Sequence, residues 1–384
     1  MRVSVLGCGL IGRVAARTLL DEKDVSEVTV VDSDSKKLES FKEASRSQKL
    51  VTYHASVTDH DRIVRIVRGS SVVICALPQK LAVAGDTAAM DAEVNAVDIA
   101  FEDDQMQLHT RLKERGMTLI PGCGLAPGLT NILSCHATDD MDRAEGVYIK
   151  VGGIPQHPKP PLEYRVVFSL ETVWDEYLKP VRIIRDGVIR EVPALSGLET
   201  VYFPEPFGLV ECFYTDGLST LVHTMGGKVV EAEEKTIRYP GHADKIKTLI
   251  ECGLLGSKPV AVDGAKVVPR RFLTALLTPM IELGKERDAT LMRIDVTGEK
   301  DRKEVRYTYE MIDLFDEERG ITSMAKTTAF PGSIVALMLA RGEIQEKGLL
   351  PPEEAIRKNL FNKFIAELSR RDVHVVGPSV YASS

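Results

Sequence analysis

The sequence predicts an α/β protein: an N-terminal doubly wound parallel sheet plus an inserted α+β domain with a mixed or antiparallel sheet. Three observations carry this expectation. Met1 to Asp34 reads as strand, glycine turn, helix, strand, acid. Six β-rich runs alternate with helical segments as far as Pro121, the pattern of parallel strands joined by crossover helices. From Gly146 to about Thr297 strands recur at shorter spacing, with turns such as Arg185-Asp186-Gly187 between them, which suits a separate sheet.

The first strand is Arg2-Val3-Ser4-Val5-Leu6, followed by Gly7-Cys8-Gly9-Leu10-Ile11-Gly12 and a helix from Arg13 to Leu20. Glu27–Val31 is the second strand and ends in Asp32. A G-x-G-x-x-G turn in this context is the dinucleotide-binding fingerprint of a Rossmann domain. Gly7 permits the tight turn, Gly9 lets backbone approach a pyrophosphate, and Gly12 lets the helix pack close to the strand. Leu10 and Ile11 open the helix whose N-terminal amides face the phosphates. Asp32 suits both ribose hydroxyls and repels a 2′-phosphate. Ser33 follows it with no arginine adjacent, which favours NAD over NADP, while Lys36 and Lys37 leave NADP open.

Ser35–Ser47 reads as a polar helix and Val51–Ala55 as the third strand, followed by Ser56-Val57-Thr58-Asp59. Ser56, Val57 and Asp59 are placed near the adenine; Asp59 serves equally as a cap for a helix over Asp61–Arg68. Val72–Leu77 is a fourth, buried strand, and Ala76-Leu77-Pro78 sits at its carboxyl end, where ligands of open α/β sheets bind. Leu81–Asp91 is helical. Ala96–Ala100 is the fifth strand, Gln105–Gly116 a helix and Met117–Pro121 the sixth strand. Gly122–Gly128 leads into a helix from Leu129 to about Thr138.

In the second sheet Val147–Val151, Tyr164–Phe168, Val181–Ile184, Val201–Phe203 and Met292–Val296 are expected strands. Leu170–Tyr177, His242–Cys252 and Arg271–Leu283 are expected helices. Val305–Phe315 is a further strand. After Pro331-Gly332, the apolar helix Ser333–Arg341 is expected to return to the dinucleotide domain, and Pro351-Pro352 opens a C-terminal helix. The tail after Val376 is expected to be mobile. The expected domains are 1–128, 129–320 and 321–384.

The chain has 384 residues, 44% of them hydrophobic and 27% charged, with a net charge of −7, as in an ordinary globular protein. The negative balance argues against a general nucleic-acid binder. No apolar run is long enough to cross a membrane. The first strand begins at the second residue, so no signal peptide is expected. Six scattered cysteines without a C-x-x-C suit a cytoplasmic setting and give no metal site.

Several stretches resemble the saccharopine dehydrogenase-like oxidoreductases, and most of all the lysine 6-dehydrogenase branch. They are Gly7–Gly12, Val97-Asp98-Ile99-Ala100-Phe101-Glu102, Gly124-Leu125-Ala126-Pro127-Gly128-Leu129-Thr130-Asn131, Gly152-Gly153-Ile154-Pro155, Pro158–Tyr164, Thr215-Asp216-Gly217-Leu218, Arg238-Tyr239-Pro240-Gly241-His242 and Pro351-Pro352-Glu353. The resemblance implies an NAD(P)-dependent enzyme that oxidises the side-chain amine of an amino acid. In the lysine 6-dehydrogenase reading, L-lysine gives the semialdehyde and ammonia. In the saccharopine reading, the substrate is a secondary amine joining that semialdehyde to glutamate. A non-catalytic NAD-bound sensor is the alternative of another class. A homodimer formed through the second domain is also implied.

Such chemistry needs a neutral amine, a held substrate carboxylate and, for deamination, proton transfer to water. Asp98, at the end of an apolar strand, is the first candidate base; it would equally cap the turn or bind the nicotinamide ribose. Glu102 is second. Lys159, between prolines, suits a lysine of lowered pKa, with Glu163 and Tyr164 nearby. Arg238 is the candidate for the substrate carboxylate. His242 could act as acid or base, Thr215 and Asp216 could hold an amino group, and Asn131 could reach the nicotinamide amide or the substrate. Gly124 keeps backbone close to the cofactor, and Cys123 is a small filler. A saccharopine substrate would need additional cations, for which Arg165, Lys179, Arg182, Arg185 and Arg270 are available.

Overall fold

The computed structural model of the chain describes residues 1–166 and 170–382. It divides into two compact units. The first comprises Met1–Arg143, Ser219–Thr224 and Ala325–Val375, and the second Ala144–Leu218, Met225–Met324 and Val376–Ser384.

In chain order the elements begin β1 (Arg2–Leu6), α1 (Leu10–Leu20), β2 (Glu27–Asp32), α2 (Ser35–Ser45), β3 (Leu50–His54), α3 (His60–Val67), β4 (Val72–Cys75), α4 (Ala82–Asp91) and β5 (Ala96–Asp98). A 3₁₀ turn over Asp103–Leu108 precedes α5 (His109–Glu114), β6 (Thr118–Ile120) and α6 (Leu129–Asp139). Then come β7 (Arg143–Pro155), α7 (Leu170–Leu178), β8 (Val181–Arg185), β9 (Val188–Val192), β10 (Glu199–Phe203), β11 (Gly208–Tyr214), α8 (Leu221–Thr224), β12 (Glu231–Arg238) and α9 (His242–Glu251). The chain continues with β13 (Val260–Val262), β14 (Ala265–Val267), α10 (Pro269–Ile281), β15 (Asp288–Lys300), β16 (Lys303–Leu314) and α11 (Ser323–Ala340). Last are β17 (Gly348–Leu349), α12 (Pro352–Ala355), α13 (Asn359–Arg370) and β18 (Val376–Ala382).

The first unit is built on a parallel sheet in the order β17-β6-β5-β4-β1-β2-β3. The order reverses between β1 and β4, so the carboxyl ends of those strands flank the crevice where ligands of such sheets bind. Strands buried on both faces need apolar side chains on both, and Val72, Val73, Ile74 and Cys75 are all buried. The seventh strand, β17, lies in the returning segment. The returning helix α11 starts at Ser323, ten residues before the expected start, and runs through Pro331. Gly332 explains its close seat: a Cβ there would lie 2.5 Å from Ile99 and 2.7 Å from the Cys123 carbonyl oxygen.

The second unit is a mixed sheet in the order β10-β11-β12-β7-β15-β16-β18, with β8 paired to β12 and to β9. β12 runs parallel to β7 and antiparallel to β11. One core gathers Leu162, Tyr164, Trp174, Tyr177, Phe213 and Ile246 under α7, α9 and α10.

Three expectations are corrected here. The tail after Val376 is not a loose end: it forms β18, antiparallel to β16. Tyr164 and Arg165 lie in no strand, and Val166 makes only an isolated bridge to Glu282; Val167 and Phe168 of that expected strand lie outside the described residues. Of the expected helix from Gln105 to Gly116, the first turn is 3₁₀ and only His109–Glu114 is α-helical.

Candidate functional site

In the first unit, β1 delivers its chain directly into the glycine turn. Gly7 has φ +102° and donates to the Val31 carbonyl at 2.8 Å. A Cβ on Gly7 would lie 2.3 Å from the Ala76 carbonyl oxygen, and one on Gly12 would lie 2.0 Å from the Gly7 oxygen. Those two glycines are demanded by the fold itself. Gly9 differs: a Cβ there meets nothing within 4 Å. The fold has no need of glycine at this position, whereas a ligand lying on that backbone does. Leu10, the first helical residue, is solvent-exposed, and Ile11 is half-buried.

Asp32 stands at the carboxyl end of β2, and its Oδ2 accepts from the Cys8 amide at 2.6 Å and its Oδ1 from the Asp34 amide at 2.8 Å. The acid is thereby fixed in the mouth of the turn. Arg13, which the sequence reading passed over, ties this mouth together. Its Nε donates to the Cys8 carbonyl and its Nη2 to the Lys37 carbonyl, both at 3.0 Å. Its signal was a cation directly after Gly12. Asp34 caps α2 by accepting from the Lys36 and Lys37 amides. The Ser33 carbonyl lies 3.1 Å from Nε2 of His54. Ser56 bonds Thr58 at 2.7 Å, Val57 is buried, and Asp59 occupies the cap position of α3 without a side-chain capping bond. An open backbone at Gly9, a helix N-terminus and an oriented acid form a set that fits a dinucleotide.

At the ends of β4 and β5, Ala76 donates to the Leu6 carbonyl, Leu77 packs on the core, and Pro78 leads a 3₁₀ turn. Asp98 is wholly buried. Its Oδ1 accepts from the Ala100 amide at 2.8 Å, and its Oδ2 from Nε2 of Gln105 at 3.1 Å. The same Gln105 nitrogen donates to Asp86 Oδ2 at 2.5 Å, while its Oε1 accepts from the Glu102 amide at 2.7 Å. Burial, and then the neighbouring Asp86, push Asp98 well above the usual carboxylate range; burial takes Asp86 to about 6. Two carboxyls this close keep a proton between them. Cys75 completes the group, with donor atoms within 4.8 Å of one another, and its thiol is also pushed up by burial. In this conformation Asp98 locks the loop after β5.

The Gly122–Gly128 loop packs as tightly as the first turn. A Cβ on Gly128 would lie 2.2 Å from the Gly124 oxygen, and one on Gly124 3.2 Å from Thr328. Asn131 is buried: Oδ1 accepts from the Gly128 amide at 3.2 Å, and Nδ2 donates to Thr220 at 3.0 Å and to Glu353 at 3.4 Å. Glu353 also accepts from Thr220 and Thr224, at 3.0 and 2.8 Å. Glu353 was visible in the sequence only as part of Pro-Pro-Glu.

In the second unit, β12 aims Glu234, Thr236 and Arg238 to one face, since side chains of a strand alternate. Arg238 is 2% exposed and lies over the Tyr164 ring, 4.6 Å from its centroid. Its Nε donates to the Tyr177 hydroxyl at 3.0 Å, and its Nη1 to Thr236 and the Ile237 carbonyl. Tyr177 lies 3.0 Å from His242 Nε2, and His242 Nδ1 donates to the Leu162 carbonyl at 2.9 Å. The chain of donors therefore runs Arg238, Tyr177, His242, Leu162. The ring of His242 is boxed by Tyr164, Tyr177 and Phe213. Burial and then Arg238 lower its pKa to about 3, so His242 stays neutral and holds Tyr177 in place; it is not the neutral-range acid or base its sequence position suggested.

Thr215 is buried beside the surface residue Asp216, which pairs with Arg182 at 3.6 Å. Lys159 is exposed and pairs with Glu286 at 3.1 Å; Arg165 reaches the same carboxylate at 3.3 Å. Two acids missed by the sequence reading, Glu176 and Glu234, lie within electrostatic reach of each other. Burial, relieved by Arg238, takes Glu176 to about 7, and burial with Glu176 and Asp216 nearby takes Glu234 to about 8.

The parallel sheet with this glycine turn defines a dinucleotide-dependent oxidoreductase fold. Residues 3–120 match the saccharopine dehydrogenase NADP binding domain and residues 124–373 the saccharopine dehydrogenase C-terminal domain. The chain belongs to the saccharopine dehydrogenase family and is an oxidoreductase of that family. It is 23% identical to the carboxyaminopropylagmatine dehydrogenase of Synechocystis sp., over 92% of each chain. It is also 23% identical to the mitochondrial alpha-aminoadipic semialdehyde synthase of Rattus norvegicus, over 91% of this chain and 45% of that protein, so it spans about half of that relative. Its fold matches the apo saccharopine dehydrogenase (L-Glu forming) of Saccharomyces cerevisiae with a TM-score of 0.82 at 19% identity, over 100% of each chain.

Proposed function

We propose that the chain oxidises the side-chain amine of an amino acid with NAD, L-lysine being the first choice. Hydride leaves the carbon bonded to nitrogen, an imine forms, and water releases ammonia and 2-aminoadipate 6-semialdehyde. The observation that carries this reading is the Gly9 backbone, left open beside a fixed Asp32, in a chain of this family. When bound, NAD supplies the hydride acceptor. Asp32 takes the ribose hydroxyls, which favours NAD, although the family's domain is described as NADP binding.

Arg238 is the proposed contact for the substrate carboxylate, with Tyr164, Tyr177 and His242 positioning it. Lys159 is the proposed proton-transfer residue, since Asp98 is locked to Gln105. Asp98 and Glu102, through Gln105, position the loop after β5. Asn131 holds the Gly122–Gly128 loop, and Thr215 and Asp216 flank the amino-group contact.

The second reading, a saccharopine-type secondary amine, is favoured by the names of the relatives. It needs more cations, and four of the five available are already paired: Arg165 with Glu286, Arg182 with Asp216, Arg185 with Glu231, and Arg270 with Glu171 and Asp175. This supports the lysine reading. The test is purified chain with NAD or NADP against L-lysine, saccharopine and diamines, followed by reduced-cofactor absorbance. Turnover of L-lysine with NAD is expected. A sole response to saccharopine supports the second reading, and no response to any amine despite NAD binding refutes both in favour of a sensor.

A further inference from the structure

The loops after β4, β5 and β6 close on one another within the first unit. Gln79 Nε2 donates to the Phe101 carbonyl at 3.0 Å, and the Gly122 amide to the Ala100 carbonyl at 2.8 Å. A short excursion of the chain, Ser219–Thr224, belongs to the same unit. Thr220 donates to Glu353 at 3.0 Å, and His223 Nε2 stands 3.7 Å from Asp103 Oδ1, so the excursion is tied both to α12 and to the loop after β5.

Ser219 is the residue of this excursion that the protein itself does not explain. Its φ is +52°, in the left-handed region that favours glycine. It is 5% exposed, and its hydroxyl has no hydrogen-bond partner in the chain. A Cβ on Gly122 would lie 3.4 Å from Ser219 Oγ, 3.2 Å from Phe101 Cβ and 3.1 Å from Pro127 Cγ, so the hydroxyl stands beside carbon of the loops after β5 and β6. Buried polar groups are nearly always paired, and a carbon side chain would fill such a place at lower cost. A ligand that pairs with the hydroxyl accounts for it.

The position in the fold names that ligand. In a doubly wound sheet a dinucleotide spans the reversal of strand order, with one mononucleotide half on each side. The glycine turn after β1 and Asp32 after β2 serve the pyrophosphate and the adenosine half. The nicotinamide half therefore belongs on the side of β4, β5 and β6, the side on which Ser219 stands. Nicotinamide carries one polar substituent on its ring, a carboxamide with donors and an acceptor, and a hydroxyl can serve either.

We infer that Ser219 hydrogen-bonds the carboxamide of the nicotinamide and so fixes the rotation of that ring beyond the ends of β5 and β6. The inference rests on the reading of the first turn as a dinucleotide site and adds the contact that orients the reactive ring. The hydroxyl reaches the amide by rotation about its single χ1, between staggered positions.

The test is calorimetric titration of the full chain with NAD and with ADP-ribose, which has both riboses and both phosphates but no nicotinamide. NADP and 2′-phospho-ADP-ribose are run in parallel. Ser219→Ala removes the hydroxyl; Ser219→Gly removes it and accepts the backbone conformation. Each should weaken the dinucleotide about fivefold, the worth of one hydrogen bond, and leave the ADP-ribose affinity unchanged. The hydroxyl has no partner to lose in the free chain, so the melting temperature of ligand-free Ser219→Ala should match or exceed that of wild type. Unchanged dinucleotide affinity in both variants, equal weakening of dinucleotide and ADP-ribose, or a lowered melting temperature of ligand-free Ser219→Ala overturns the assignment and spares the reading of the first turn. A wild type that binds neither dinucleotide nor ADP-ribose overturns both.

Discussion

At the scale of single residues, the three glycines of the first turn separate into two kinds. Gly7 and Gly12 are held by backbone 2.3 and 2.0 Å from a would-be Cβ, and Gly9 by nothing in the protein. Gly9→Ala should therefore leave the melting temperature unchanged and raise the NAD dissociation constant about tenfold or more, whereas Gly12→Ala should lower stability outright. Thermal melts and fluorescence titration check both; an unchanged NAD affinity in Gly9→Ala would remove the cofactor from this backbone. Asp86 gives a pH prediction. Its folded pKa of about 6 exceeds the unfolded value of 3.8, so the folded state binds more protons between these values. Stability is full below the lower value and is lost as pH rises through about 6. Asp86→Asn should remove that part of the loss, about 3 kcal/mol, and make the stability profile shallower between pH 4 and 7, the slope that remains belonging to Asp98. Denaturant unfolding across that range reads it. The glycine turn and Asp32 were legible because their spacing is local. Gln105 and Glu353 were not, because their partners lie 19 and 222 residues away.

At the scale of elements, apolar patterns found the strands whose faces bury apolar side chains. β12 escaped because four of its six buried positions are polar or charged, Glu234, Lys235, Thr236 and Arg238 beside Ala232 and Ile237, and no hydrophobic alternation marks it. What sustains such a strand is pairing on both edges and partners for its charges. β11 escaped in the same neighbourhood, although its Glu211 has a clear task. That buried carboxylate accepts from the Gly241 and Ala243 amides, both at 2.7 Å, and so caps α9 from another element. It also places negative charge at the positive end of the helix. Glu211→Ala should destabilise the chain by about 2 kcal/mol or more, because one buried and one part-buried amide lose their acceptor, and Glu211→Gln should restore part of that. Urea unfolding of the two variants measures it; equal stability of Glu211→Ala and wild type would show that water replaces the cap.

At the scale of the whole molecule, the chain crosses between its two units repeatedly, at Arg143, Leu218, Thr224, Met324 and Val375. Local sequence signals do not announce such crossings. Ser219–Thr224 joins the first unit because Thr220 and Thr224 donate to Glu353, a contact between residues far apart in the chain. Among the described residues no helix is long and apolar enough to cross a membrane. NAD at about a hundred times its dissociation constant should stabilise the folded chain by about 2.7 kcal/mol, seen by calorimetry as a raised melting temperature; no shift would refute the reading of the first turn. The homodimer expected from the resemblance is a proposal that light scattering checks, twice the chain mass being the expected result. The sequence by itself determined the fold class, the dinucleotide turn and the family, since each is written in short-range spacing or in contiguous motifs. Only the tertiary structure decided which polar residues are buried, which carboxyls keep a proton and, among the described residues, which buried carboxyl oxygen accepts no hydrogen bond. Burial and electrostatic neighbourhood depend on contacts between distant segments, and those contacts turned Asp98 into a locked core acid and brought Glu234 into view.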